Sequence, residues 1–266
     1  MSSNVPIALS IAGSDPSGGA GIQADLKTFA AFDVYGAAVL TCATAQNTLG
    51  VRATGELPVD LVAAQLDAVL EDLAVGAIKT GMLGRAAIVE VVAARLAGGS
   101  IPLVVDPVMV ATSGDALLSP DGVAALRTLL LPRARLITPN LREAAVLAGR
   151  RVESLDEMRT AARVIRDLGP RAVLVKGGHL AGAACDVLLD GDELHELSAP
   201  RVAIDRLHGS GCTLSAAITA ELARGATLLA AVRTAKAYVH EAIVRALVVG
   251  HGARPLDHRV RPARDD

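Results

Sequence analysis

Short apolar runs without polar alternation recur along the chain, each followed by a polar or glycine-bearing loop and then a helical stretch. They are Val5–Ile11, Ala37–Thr44, Ala77–Thr80, Leu103–Val105, Leu136–Thr138 and Ala172–Lys176. Strands apolar on both faces belong in a parallel sheet covered by helices on each side. The intervening helices carry physical start signals. Ser119-Pro120-Asp121 offers a cap followed by proline at the first helical position. Ser154 and Glu157 have the spacing of a capping box. Gly225 ends one helix and Thr227 caps the next. A hairpin is expected at Asp186–Leu189 and Leu194–Ser198, turning at Asp190-Gly191, and Gln46 to Gly55 reads as a polar turn. No linker tract or internal repeat divides the 266 residues. The expectation is one domain, 1–266, built as a three-layer α/β/α sandwich around a mainly parallel sheet. Residues 254–266, where Arg254, Arg259, Arg261 and Arg264 mix with Asp257, Asp265 and Asp266, read as a solvated surface tail.

Composition excludes several functions. Aromatic residues make up 2% of the chain and tryptophan is absent, too few for a platform that stacks single-stranded nucleic acid. With 26 basic and 28 acidic residues interleaved, no basic stripe follows a phosphodiester backbone. Cys42, Cys185 and Cys212 stand apart, without zinc-binding spacing, and suggest a reducing compartment. No apolar stretch reaches membrane-spanning length, and the N-terminus lacks the charged region of a signal peptide. A soluble, cytoplasmic protein is expected.

Ligands of such sheets bind beyond the carboxyl ends of the strands. The residues falling there are polar and glycine-rich: Gly13-Ser14-Asp15, Thr44-Ala45-Gln46, Lys79-Thr80-Gly81-Met82, Asp106-Pro107, Asn140 and Lys176-Gly177-Gly178. His208-Gly209-Ser210-Gly211-Cys212-Thr213 opens an apolar helix. Its glycines let backbone N–H groups converge where the helix dipole is positive, an anion hole suited to a phosphoryl group in transfer. The plainer reading is a glycine turn that merely begins a buried helix. A thiol at that helix start should have a lowered pKa, so Cys212 could accept a proton from a substrate hydroxyl; a lone cysteine is otherwise a small buried hydrophobe. Neither a Rossmann fingerprint nor a Walker A loop is present, because Gly18-Gly19-Ala20-Gly21 lacks one spacing and Lys27-Thr28 follows Leu26. Asp25, on the helix after the first loop, could reach back to a ligand. Asp106 and Glu143 offer oxygen ligands suited to Mg²⁺ on a nucleotide, and Lys176 offers a point charge to its phosphates; Asp106, Asn140 and Glu143 could equally cap helices. The Gln46 carboxamide pairs a donor with an acceptor, matching a ring nitrogen beside an exocyclic amine. Met82 could pack on a flat ring or fill core.

Several stretches, in order, resemble the hydroxymethylpyrimidine/phosphomethylpyrimidine kinases of thiamin biosynthesis, members of the ribokinase-like group. They are IAGSDPSGGAGIQADLKTFAAFDVYG (11–36), TAQNTLGV (44–51), IKTGML (78–83), VVDPVMVATSGDALL (104–118), TPNLREAAVL (138–147), VLVKGGHL (173–180) and HGSGCTLSAAI (208–218). The resemblance implies a magnesium- and ATP-dependent kinase of ribokinase-like fold that phosphorylates a hydroxymethylpyrimidine and then its monophosphate. It implies that Gly13, Asp25, Thr44, Gln46 and Met82 line the pyrimidine pocket. Asp106, Asn140, Glu143 and Lys176 would serve the nucleotide and Mg²⁺, with Asp106 and Glu143 on the metal side. Gly209, Ser210, Gly211 and Cys212 would form the anion hole, with Cys212 as base. A homodimer is implied too. This chain departs from the family pattern at Ser210, where threonine is usual, and at Thr112, where lysine is often seen. Residues 251–258 look like a GHGPLNH stretch with two residues inserted and Asn changed to Asp. The alternatives are a pyridoxal kinase of the same group and a non-catalytic ligand-binding protein on this fold.

Overall fold

The computed structural model describes residues 5–110, 116–178, 180, 184–204 and 206–263; Thr112 lies outside them. Strand β1 (Ile7–Ser14) leads through a glycine loop into α1 (Gly21–Ala31), and β2 (Tyr35–Asn47) turns back as β3 (Gly50–Glu56). Helix α2 (Val59–Asp72), β4 (Ala77–Thr80), α3 (Ala86–Arg95) and β5 (Leu103–Val105) follow. Next come α4 (Pro120–Ala125), continued by a wider turn, then β6 (Leu136–Ile137), α5 (Leu141–Ala148), α6 (Leu155–Arg166) and β7 (Ala172–Val175). The hairpin β8 (Ala184–Asp190) and β9 (Glu193–Ala199) precedes β10 (Leu207–His208), α7 (Ser210–Ala223), α8 (Leu228–Val244) and β11 (Arg254–Pro255).

Nine strands form one sheet in the order β3-β2-β1-β4-β5-β6-β7-β8-β9. From β2 through β7 every pairing is parallel; β3, β8 and β9 add antiparallel edges. Side chains alternate across it as pleating requires. Leu9, Ile11, Val105, Val173 and Val175 face a layer with Val62, Leu66, Ile88 and Ile165 from α2, α3 and α6. Ala8, Val104, Leu136 and Leu174 face a layer with Phe29, Ile218 and Tyr238 from α1, α7 and α8. The expected α/β/α sandwich is therefore present.

Local signals held unevenly. Ser119 accepts from Gly122 N, Thr227 accepts from Ala230 N, and Gly191 turns the β8–β9 hairpin with φ of 60°. Ser154 caps α6, but the Glu157 carboxylate accepts from Glu153 N at 2.7 Å, one residue before the position a full box requires. The expected polar turn after Gln46 is partly strand. β3 is a mostly exposed edge strand, so neither of its faces carried an apolar signature.

The expected surface tail is a correction. β11 pairs with β10, and Leu256, Asp257, His258 and Val260 are buried. Leu256 lies in the core beside α7 and α8, so the arginine–aspartate mixture sits on a segment anchored by apolar residues between the charges. Leu256→Ala should cost about 3 kcal/mol, read as a fall in the urea midpoint with unchanged slope; a stability equal to wild type would return the segment to the solvent.

Candidate active site

Strand order reverses around β1. The chain passes from β1 outward to β2, then returns to β4 on the other side of β1. A crevice opens where crossovers diverge in this way, and the ends of β1, β2 and β4 surround it. The loop after β1 is organised by Asp15. Its Oδ1 accepts from Ser17 N and Ser17 Oγ, and its Oδ2 accepts from Gly19 N, Ala20 N and His208 Nε2 at 2.8 Å. Burial pushes this carboxyl up, but the bonds from His208 and Ser17 outweigh it and pull it down to about 2.

Gly13, Thr44, Gln46 and Met82 meet at this end of the sheet. A Cβ on Gly13 would stand 2.7 Å from Cys42 Sγ and 3.3 Å from Met82 Sδ, so the backbone passes where no side chain fits. Thr44 Oγ1 donates to Ser14 O at 2.9 Å and lies 3.2 Å from the Gln46 carboxamide. The other end of that carboxamide is 3.1 Å from His208 Nε2.

Asp25 stands elsewhere than expected. Its side chain is fully buried, taking both oxygens to Lys79 Nζ at 2.7 Å and Oδ2 to Ser10 Oγ at 2.6 Å. With its acceptors used below the crevice, it braces Lys79 and does not line the pocket. Burial alone would lower the Lys79 ammonium; the charges of Asp25, Cys212 and Asp106 raise it instead. Lys79 is the functional candidate that sequence reasoning left unassigned. Its signal was a cation inside an otherwise apolar strand.

On the far side of β4, Asp106 Oδ1 takes bonds from Lys176 Nζ at 2.9 Å and Thr138 Oγ1 at 3.2 Å, and Oδ2 from Ser215 Oγ at 3.1 Å. Burial works against this carboxylate, but the Lys176 and Lys79 charges hold it below its usual range. Asn140 and Glu143 form the complete capping box of α5. Asn140 Oδ1 accepts from Glu143 N at 3.0 Å, and Glu143 Oε2 accepts from Asn140 N at 2.8 Å. The capping alternative is therefore real for this pair, which nonetheless sits beside Lys176 through the Asn140–Lys176 backbone bridge. Burial lifts the Glu143 carboxyl to about 7, the Asp106 charge adding to it and Lys176 opposing.

Helix α7 joins the two halves. Gly209 has φ of 85°, and a Cβ there would fall 1.8 Å from Gly19 O, so the first loop and the helix start touch backbone to backbone. No side chain caps α7, which leaves first-turn amides for a ligand. A Cβ on Gly211 would lie 3.2 Å from Lys176 Nζ and 3.9 Å from Asp106 Oδ2. Behind the turn, Thr213 Oγ1 lies 3.0 Å from His258 Nε2, tying the C-terminal segment to the helix.

Cys212 is half-buried, within electrostatic reach of Lys79, Asp25 and Asp106. The expected lowering of its pKa is corrected. Burial pushes the thiol up to about 11; Lys79 and the Gly21 N–H lower it, while Asp25 and Asp106 add to the rise. The helix-start argument weighed the backbone and omitted the burial of the thiol, and with it two carboxylates that only the fold brings near.

A ribokinase-like sheet with an uncapped, glycine-opened helix facing a lysine–carboxylate pair defines a small-molecule kinase. The comparisons agree. A family model described as phosphomethylpyrimidine kinase matches residues 15–257. A hydroxymethylpyrimidine/phosphomethylpyrimidine kinase of Streptomyces coelicolor is 51% identical, over 95% of this chain and 94% of that protein. The enzyme so named from Rhizobium meliloti is 55% identical, over 95% and 96%. Among solved structures, an ADP complex of Bacillus subtilis pyridoxal kinase aligns with a TM-score of 0.88 at 39% identity, covering 96% of this chain and 97% of that one. The chain belongs to the phosphomethylpyrimidine kinase family.

The thiol's position gives a direct check. Iodoacetamide labelling of Cys212, followed by peptide mapping in the nucleotide-free protein, should rise with pH toward a midpoint near 11. Full labelling kinetics already reached at pH 8 would mean that the cations around Cys212 dominate after all.

Proposed function

We propose that this protein transfers the γ-phosphoryl group of ATP to the hydroxymethyl oxygen of 4-amino-5-hydroxymethyl-2-methylpyrimidine, and then phosphorylates the monophosphate to the pyrophosphate, in thiamin biosynthesis. The observation that carries this reading is the convergence of Cys212, Lys176 and Asp106 on the first turn of α7, one loop away from the Gln46 end of the crevice. Gly13, Thr44, Gln46 and Met82 hold the pyrimidine. The Gln46 carboxamide meets the ring nitrogen and exocyclic amine, which favours the aminopyrimidine over pyridoxal, the second reading that the family's structural neighbour brings. The amides of Gly209, Ser210, Gly211 and Cys212 hold the transferring group, where positioning and charge stabilisation supply most of the acceleration. Lys176 and Asn140 lie on the nucleotide side.

The Asp106–Glu143 region suits a divalent cation. Two buried carboxyls share one lysine there, and like charge together with burial holds Glu143 near neutrality, a strain that an added cation relieves. Most of their oxygens already take protein hydrogen bonds, which suits Mg²⁺ held through its own water. When bound, Mg²⁺ offsets charge on the nucleotide phosphates.

Cys212 takes the substrate proton as the hydroxymethyl oxygen attacks. Only the thiolate can do so. With the thiol held near 11, the thiolate fraction grows about tenfold per pH unit through the neutral range. Lys79, fixed by Asp25, is the buried cation that stabilises this thiolate. The reading of a homodimer rests on the family resemblance, and light scattering on the purified protein tests it; the cytoplasmic reading rests on the sparse, unpaired cysteines.

Mass analysis after incubation with the pyrimidine alcohol, ATP and Mg²⁺ should reveal both monophosphate and pyrophosphate; the absence of both products would end the proposal. Cys212→Ala should lower kcat by about 100-fold or more, and activity equal to wild type would remove the base. For the wild-type enzyme, kcat should climb from pH 7 to 9, because the thiol must lose its proton before it can receive one; a flat profile would assign the proton elsewhere.

A further inference from the structure

We infer that His208, anchored by Asp15, fixes which end of the Gln46 carboxamide is the acceptor, and so positions the residue that tells an aminopyrimidine from a hydroxypyridine. The inference rests on the reading of Gln46 as the ring-facing group. It follows from counting hydrogens at two contacts. Asp15 Oδ2 already accepts from Gly19 N and Ala20 N, and Oδ1 accepts from Ser17 N and Ser17 Oγ. A carboxylate so surrounded by donors stays ionised and has no proton to give. The His208 nitrogen 2.8 Å away must therefore carry the hydrogen of that contact, whether the ring is neutral or charged.

The same nitrogen lies 3.1 Å from Gln46 Nε2. With Nε2 of His208 protonated, that contact sets donor against donor. At the other end, Thr44 Oγ1 has a single hydrogen, and it points to Ser14 O, which can only accept. Gln46 Oε1 at 3.2 Å from Thr44 Oγ1 then sets acceptor against acceptor. A half-turn of the carboxamide repairs both contacts at once. Oε1 then shares the His208 Nε2–H with Asp15 Oδ2 as a second acceptor, and Nε2 donates to Thr44 Oγ1.

This arrangement leaves Gln46 one N–H and one lone pair for a ligand, in a fixed order along its edge. An exocyclic amine can donate to the retained lone pair while a ring nitrogen accepts from the N–H. A phenolic oxygen standing in place of the amine, as on a hydroxypyridine, has no hydrogen to offer once ionised and meets Oε1 with like charge. Without His208 only the Thr44 contact orders the carboxamide, and its N–H turns toward either substrate more readily. A Cβ on Gly19 would stand 2.5 Å from His208 Cδ2, so the ring packs directly on the loop backbone, and the bond to Asp15 holds it there. His208 thus acts as a positioning residue, one step removed from the ligand.

The test compares KM and kcat of wild type, His208→Phe and His208→Gln on the aminopyrimidine alcohol and on pyridoxal, each with ATP. In His208→Phe, KM for the aminopyrimidine should rise about tenfold, the worth of one or two oriented hydrogen bonds. Its kcat and its KM for ATP should stay within about twofold, and KM for pyridoxal should hold or fall. His208→Gln keeps an N–H able to bridge Asp15 and Gln46 and should restore most of the preference. Equal rises for both alcohols, or an unmoved aminopyrimidine KM, would overturn the inference while leaving the proposed activity intact. Absence of turnover by the wild-type enzyme would instead overturn the parent reading and this one with it. If His208→Phe does not fold, His208→Asn, too short to reach Gln46, replaces it with the same expected outcomes.

Discussion

The close approach of two backbones holds the site together. Gly19 O and Gly209 are near enough that no side chain fits between them, and through that contact the loop after β1 and the first turn of α7 become one surface. The loop carries the Asp15 network and the α7 turn carries the amides and Cys212. Residues about 190 positions apart in the chain thereby lie side by side. The positive φ of Gly209 serves the same end, since it lets the chain leave β10 and enter the helix without lifting away from Gly19.

Charge is organised around that contact as two buried pairs. Lys79 with Asp25 lies beneath β1 and β4, and Lys176 with Asp106 beyond β5 and β7. Burying ion pairs seldom adds stability, because desolvation offsets most of the attraction. Their merit is placement: each lysine is held rigidly by a carboxylate and a hydroxyl network, and Cys212 lies within reach of both. The thiol near 11 is the balance of these charges with burial. A thiol so balanced has a proton affinity that shifts with whatever charge is added beside it.

The layer architecture was legible because pleat and helix periodicity act locally. The unbroken apolar runs became β1, β4, β5, β6 and β7, and the Asp190-Gly191 turn became the β8–β9 hairpin. What escaped were features whose cause is distant in sequence. β3 has no buried face to mark it. Asp25 looked like a ligand-reaching carboxylate until Lys79 was found beside it, and Asn140 with Glu143 carried the signature of both a cap and a nucleotide site. Residues 254–260 looked solvated because charges flank Leu256 and Val260, and only tertiary packing reveals which of the two kinds of residue decides. The Cys212 pKa ran opposite to its local signal for the same reason. A helix start is written in the sequence, whereas the burial of the thiol and the two carboxylates near it are written in the fold.

The pairing of β11 with β10 gives residues 254–258 leverage on a distant turn. Pro255 stands opposite His208, and His258 lies beside Thr213 near the start of α7. A change that loosens this segment therefore reaches the helix start without altering a residue of it.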